Sequence, residues 1–378
     1  MNPTEAEKTP EQLDIEYLQS QLETLHPNLY QNVNEETFSA SLSQAVNSEP
    51  EYFELALQES LALLKDAHTH VFEDFWQKER MPLKFLEIDH SFYIIGAPTS
   101  EDSLLGNKIL EINGRPLENI LPELLKLSSK EGPEVVLGDL VRYLQSNKIL
   151  RYYGFSTSDE VNITTETGEK KVKVNDSKAE ELYRMNPLVW KKKERENNET
   201  FEGNPLYHFR MEGDTLLFQY NDCANNGYSD EYLADFKSKL LERTKKSKSI
   251  VVDLRLNDGG TTDVMEDLFN SLPNNQPIYV AIGRKTFSSA MHHMLFLKIE
   301  KHAILIGENA GQRPNRFGDC EKFVLPHSKI KIHVSSQRFE LLPGQDLDVI
   351  EPDIRIPVTI EDYKNNTDPL NKWIKENL

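Results

Sequence analysis

Cysteine is nearly absent from this sequence. Cys223 and Cys320 are the only two in 378 residues, too few for a disulfide framework and not spaced as a CxxC pair, so both read as ordinary small, semi-buried residues. Long apolar runs are missing as well: no stretch approaches the ~20 apolar residues that a bilayer span requires. Positive charge is the third shortage. Lysine and arginine number 43 against 62 aspartate and glutamate, a formal net charge of −19 spread along the chain. Nucleic acid and anionic membrane attract proteins through basic surfaces that displace counterions, so neither is expected as the main partner. The N-terminal MNPTEAEKTPEQ has no basic n-region and no apolar h-region, which points to the cytoplasm, with a secreted mature chain as the alternative. Three Asn-x-Thr sequons, at Asn162, Asn198 and Asn365, would matter only after secretion.

What remains is a soluble globular chain, long enough for two or three domains with a sizeable core. Leu18, Leu22 and Leu25 recur on one helical face after Pro10, and this helix is expected to stop at His26-Pro27. A second helix is expected from about Pro50 to Lys65, running into KDAHTHV. Residues 1–78 therefore read as a helical segment, and residues 79–185 as a small β-rich module. That module includes FYIIG, GNKILEINGRPL and a hairpin-like VNITTETGEKKVKV with its turn at Thr167-Gly168. Residues 186–204 contain KKKERENNETFEGN, a solvated linker by composition. From 205 to 378, the runs TLLFQY, SIVVDLRL, IYVAIG, AILIGE and KIKIHV alternate with helical stretches near Tyr228–Lys245, Val264–Leu272 and Ser289–Ile299. Such alternation predicts an α/β layered domain.

Two segments of that domain have the chemistry of a site. SIVVDLRLNDGG is a strand ending in a polar turn with adjacent glycines, where backbone N–H groups can approach a ligand with no Cβ in the way. A plain turn would use glycine too. IYVAIGRKTFSSAMHHMLFLK reads as strand, turn and helix, with Ser288 and Ser289 where the helix begins. A serine there is either an N-cap or a nucleophile served by free amides and the helix dipole. Only a base distinguishes the two. His292 and His293, on the same helix, are discounted as packing or solvent-facing residues. His68 and His70, in the polar turn DAHTHV, are better placed. A His-x-His pair also suits a metal with Asp66 or Glu73 as third ligand, but no further cluster with metal spacing accompanies it.

In this order, HPNLY at His26, DAHTHV at Asp66, DLRLNDGG at Asp253, TFSSA at Thr286, GENAGQRPNRFGD at Gly307 and EPDIRIPVT at Glu351 resemble the tail-specific, or C-terminal processing, serine peptidase family. The likeness is greatest to the bacterial branch without a lysine base, related to tricorn core protease and the retinoid-binding repeats. GNKILEINGRPL also resembles the family's PDZ-like module. The resemblance implies an α/β catalytic domain with the ClpP/crotonase-like layered fold, and a peptide or protein substrate. It makes Ser288 the nucleophile and His68 the general base. Amides of Gly259, Gly260 and Ser289 become the oxyanion donors, and Asp346 or Asp348 the acid that orients the histidine. No metal or organic cofactor is implied, and the oligomeric state is not written in these motifs.

Three departures accompany the match. Arg313 stands in the segment where relatives with a Ser-Lys dyad have lysine, and a guanidinium does not give up its proton. Met291 replaces a common glutamate, and Ala67 replaces the glycine of DGHT. His68 and Ser288 are far apart in sequence, so the expected site requires the helical segment to fold back onto the α/β domain. Two alternatives share the fold: a non-catalytic protein binding a peptide or apolar ligand, and an esterase.

Overall fold

The computed structural model describes residues 8–72, 79–174, 183–184 and 202–378. Most of the expected linker, 186–201, lies outside these residues, as does Glu73. The chain divides into two compact units: residues 1–184 with 315–340, and residues 185–314 with 341–378.

In the first unit, α1 (Pro10–Leu25) begins with a capping box in which the Thr9 hydroxyl accepts from the Gln12 N–H while the Gln12 side chain accepts from the Thr9 N–H. It buries Ile15, Leu18 and Leu22 and stops at His26, as expected. A helix not anticipated from the sequence follows, α2 (Glu35–Ala45), capped by Asn34 and burying Phe38, Leu42 and Ala45. The expected Pro50–Lys65 helix is shorter than its apolar pattern, because a 3₁₀ turn at Pro50–Tyr52 precedes α3 (Phe53–Ala62). The chain then enters β1 (His70–Val71).

Two small sheets follow. One pairs β2 (Lys84–Ile88), β3 (Ser91–Ala97) and β8 (Tyr183–Arg184); the other contains β4 (Ile109–Ile112), β5 (Arg115–Pro116), β6 (Glu160–Thr165) and β7 (Gly168–Lys173). Asn113 and Gly114, both at positive φ, form the tight turn from β4 to β5, as a two-residue hairpin demands. The β6–β7 hairpin has Thr165 opposite Gly168, which centres its turn on Glu166-Thr167. Helices α4 (Leu117–Leu124), α5 (Pro133–Tyr143) and α6 (Asn147–Tyr152) lie between β5 and β6. Residues 331–334 of the run KIKIHV, expected in the α/β domain, instead open β16 (Lys331–Glu340), which pairs in this unit with β1 and with β15 (Asn315–Val324).

The second unit is built on one sheet. Its parallel part runs from β11 (Thr215–Tyr220) through β12 (Ser249–Asp253), β13 (Ile278–Ile282) and β14 (Ile304–Gly307) to β17 (Ile354–Arg355), while β9 (Glu202–Gly203) and β10 (Tyr207–Glu212) add antiparallel strands at the other edge. Every residue of β12 is buried, as expected of a parallel strand covered on both faces. Ile250, Val252, Val280 and Ile282 face a core filled from α7 (Asp230–Thr244), α8 (Asp263–Ser271) and α9 (Ser289–Glu300). The alternate residues Val251 and Ala281 face Leu370 and Ile374 of the C-terminal helix α11 (Pro369–Asn377), which follows the short α10 (Ile360–Asn365). This layered α/β arrangement is the one the alternating pattern predicts. Among the described residues, no helix is long and apolar enough to cross a membrane.

Candidate active site

The turns after β12, β13 and β14 converge in the second unit. Open α/β sheets bind ligands outside the carboxyl ends of their strands, and these are such ends. Thr286 ties the turn after β13 to the end of β12: its hydroxyl donates to the Leu254 carbonyl at 2.9 Å and accepts from the Gly283 N–H at 3.0 Å. The Phe287 N–H donates to the Asn257 carbonyl at 3.1 Å. Asn257 itself is fully buried, its side-chain amide donating to the Tyr220 carbonyl at 3.0 Å. The turn is therefore laced to three strands before any catalytic group is placed.

Ser288 follows directly. Its backbone sits at φ 49° and ψ −118°, a region that side chains other than glycine rarely enter. It occupies the N-cap position of α9 but makes no side-chain cap hydrogen bond, so the plain capping role does not describe it. Its N–H donates to Gln312 Oε1 at 3.0 Å, from the segment after β14. Gly259 packs against it so closely that a Cβ there would stand 2.6 Å from the Ser288 Cβ. Glycine is needed at 259 for this approach as well as for its φ of +102°.

The expected oxyanion donors differ among themselves. The Gly259 N–H already donates to Asn257 Oδ1 at 2.9 Å, which removes it from that role in this structure. Gly260 and Ser289 keep their amides uncommitted among the described residues, and the Ser289 hydroxyl donates to the Gly260 carbonyl at 2.5 Å. The start of α9 adds the positive end of its dipole at the same place.

Asp346 and Asp348 lie in this unit and are largely exposed. Both pair with Arg313, at 2.8 and 3.1 Å. Met291 is fully buried in the core formed with α8, so the departure from glutamate serves packing. His293 is buried against Phe269 and Tyr220, and burial, with the charge of His292 adding to it, drives its pKa down to about 4.

His68 lies in the first unit, in a turn organised by Asp66. One Asp66 oxygen accepts from the His68 N–H at 2.9 Å. The other accepts from the Thr69 hydroxyl at 2.5 Å and from His26 Nε2 at 3.3 Å. The Asn28 N–H donates to His26 Nδ1 at 3.1 Å, which leaves the ring proton on Nε2, facing Asp66. HPNLY and DAHTHV thus meet through one buried carboxylate. Burial opposes the Asp66 charge, but His26, His68, Thr69 and Ser335 outweigh it and hold the pKa at about 2. For His68, burial dominates and lowers the pKa to about 4 against the pull of Asp66, with Arg316 and His333 adding to the fall. The imidazole is neutral at pH 7, the form a general base needs.

Glu131 was not legible in the sequence. Its Oε2 accepts from the Ala67 N–H at 2.8 Å, and ligand atoms of Asp66, His68 and Glu131 all lie within 4.8 Å of one another. The trio has metal-capable chemistry, but both Asp66 oxygens are already engaged by hydrogen-bond donors. Gln312 was overlooked too, although it stands inside GENAGQRPNRFGD. Its role depends on the fold bringing that segment to Ser288.

No family model and no curated protein matches the chain. Solved structures do. Mature CPAF complexed with lactacystin superposes with a TM-score of 0.67 at 13% identity, covering 97% of each chain. A candidate peptidase from Parabacteroides merdae gives 0.53 at 11% identity, over 98% of this chain and 97% of its own. The photosystem II D1 C-terminal processing protease gives 0.45 at 13%, over 96% and 99%. Nearly the whole length of this α/β chain therefore shares the fold of mature CPAF.

Proposed function

We propose that the protein is a serine peptidase acting on peptides or on protein C-terminal tails. In this reading Ser288 Oγ attacks the peptide carbonyl while neutral His68 takes its proton. The oxyanion that forms accepts hydrogen bonds from the Ser289 and Gly260 amides. His68 then returns the proton to the leaving amine, and water releases the acyl group from Ser288 by the same steps in reverse roles. The reading requires the two units to bring His68 to Ser288. Asp346 and Asp348 are the acids the resemblance favours for orienting the imidazole; Asp66, which accepts from the His68 N–H, and Glu131, whose carboxylate lies within 4.8 Å of a His68 ring nitrogen, are the acids beside it in its own unit.

One observation carries the proposal: a serine at the start of a helix, held at positive φ, with no capping bond. Such a backbone costs on the order of 1–3 kcal/mol, which an N-cap has no reason to bear and a nucleophile on a sharp strand-to-helix turn does. The test is a mass-spectrometric product profile of a mixed peptide library, incubated with the wild type and with Ser288→Ala. Cleavage that vanishes in the variant is the expected result. An intact library with both proteins from neutral to alkaline pH would leave a binding protein on a peptidase fold.

A further inference from the structure

We propose that His70 and His333 form a two-histidine binding site for a divalent transition-metal ion of the Zn2+, Ni2+ or Cu2+ class. The two residues are direct cross-strand partners between β1 and β16, so their side chains leave the sheet on the same face. Their ring centroids lie 5.1 Å apart. Each ring holds one buried nitrogen with no hydrogen-bond partner among the described residues, Nδ1 in His70 and Nε2 in His333. Buried polar atoms are nearly always paired, and an orphan on each of two facing imidazoles calls for a shared explanation.

The surroundings suit a metal site. Phe72 stacks on His333 at 4.0 Å and 13°, covering one ring face and leaving the ring edge to coordinate.

The neighbouring charges set the selectivity. Lys322 is the partner of His333 on β15, with its ammonium 5.8 Å from the centre of the Phe72 ring. The His68 ring, Asp66 and Arg142 also act on His70. Lys322 and Arg142 oppose any cation, which disfavours hard ions held by charge alone and leaves those that bond well to imidazole. Two protein nitrogens leave the other positions to water or to a donor from a bound molecule. Because His70 follows His68 by two residues, an occupied site would fix the β1–β16 register beside the His68 turn.

The test is a titration of the full chain with Zn2+ and Ni2+ against a chromogenic chelator, beside His70→Gln, His333→Gln, Glu131→Gln and Lys322→Gln. Each histidine variant is expected to weaken binding by roughly tenfold to a hundredfold or more, Glu131→Gln to leave it unchanged, and Lys322→Gln to tighten it. Wild-type affinity in both histidine variants, or loss in Glu131→Gln, would overturn the site. Should the histidine variants not fold, the Cu2+ electron paramagnetic resonance spectrum of the wild type decides. Hyperfine structure from two imidazole nitrogens is expected, and coupling to one nitrogen or none rejects the pair.

Discussion

Ser288 is the residue on which structure and chemistry bear most directly. Its φ of 49° and ψ of −118° place an L side chain where only glycine rests easily, and Gly259, the segment through Gln312 and the lacing at Thr286 hold it there. Strain that is imposed by surroundings is relieved when the side chain is removed altogether. Ser288→Gly is therefore expected to be more stable than Ser288→Ala by about 1 kcal/mol, while both lose peptide cleavage. Urea denaturation of the two variants measures the difference. Equal midpoints would mean that the backbone at 288 carries no strain, and the observation supporting a nucleophile would go with it.

At the scale of elements, the DLRLNDGG segment combines two functions. Asp253 and Arg255 form the foundation: the Arg255 guanidinium donates to Asp253 Oδ2 at 2.8 Å and to both Asp368 oxygens at 2.8 Å, with all three side chains largely buried. Asp368 also caps α11, so one cation joins the end of β12 to the C-terminal helix. Removing one partner of such a cluster strands buried charge, which costs about 3–5 kcal/mol. Arg255→Met is expected to destabilise the protein by roughly that amount, as a drop in the thermal midpoint. A change below about 1 kcal/mol would place the cluster with weak surface pairs.

This double use explains what the sequence disclosed. β-branched runs made β12, β13 and β14 legible, since strands buried on both faces need no alternation to be recognised. The helix starting at Ser289 was legible from the strand–turn–helix pattern around it, and the DLRLNDGG and TFSSA motifs pointed to Gly259 and Ser288, which the structure packs together. The α2 helix was not, because EETFSASLSQA has only three buried apolar positions and packs through contacts distant in sequence. Glu131 escaped for the same cause: its partner Ala67 is 64 residues away, and no local spacing encodes that. That the Gly259 amide is taken by Asn257 depended on the direction of one side chain, which residue type alone does not reveal.

Over the whole molecule, pH acts mainly through buried imidazoles. His68, His70, His293 and His333 all have pKa values lowered to about 4, whereas in an unfolded chain each would titrate near 6.5. Between those values the unfolded state binds more protons, so folding stability is full above about pH 6.5 and is lost as pH falls toward 4. Asp66, held at about 2, works lower still: its contribution is present above about pH 4 and disappears as pH drops toward 2. The net charge of −19 acts in the opposite sense, since protonating carboxylates relieves repulsion. That relief comes only near the carboxylate pKa, about 4, below most of the imidazole window. The urea midpoint is thus expected to fall steadily from pH 7 to pH 4.5, and His293→Phe, which removes one of the four groups without polar loss, to fall less steeply. Catalysis follows a separate course: with His68 neutral down to about pH 4, kcat/KM for a cleaved peptide is expected to keep its base through pH 5. An acid limb near 6.5 in folded protein would show that the His68 imidazole is solvated like a free histidine, and a different group would then have to take the Ser288 proton.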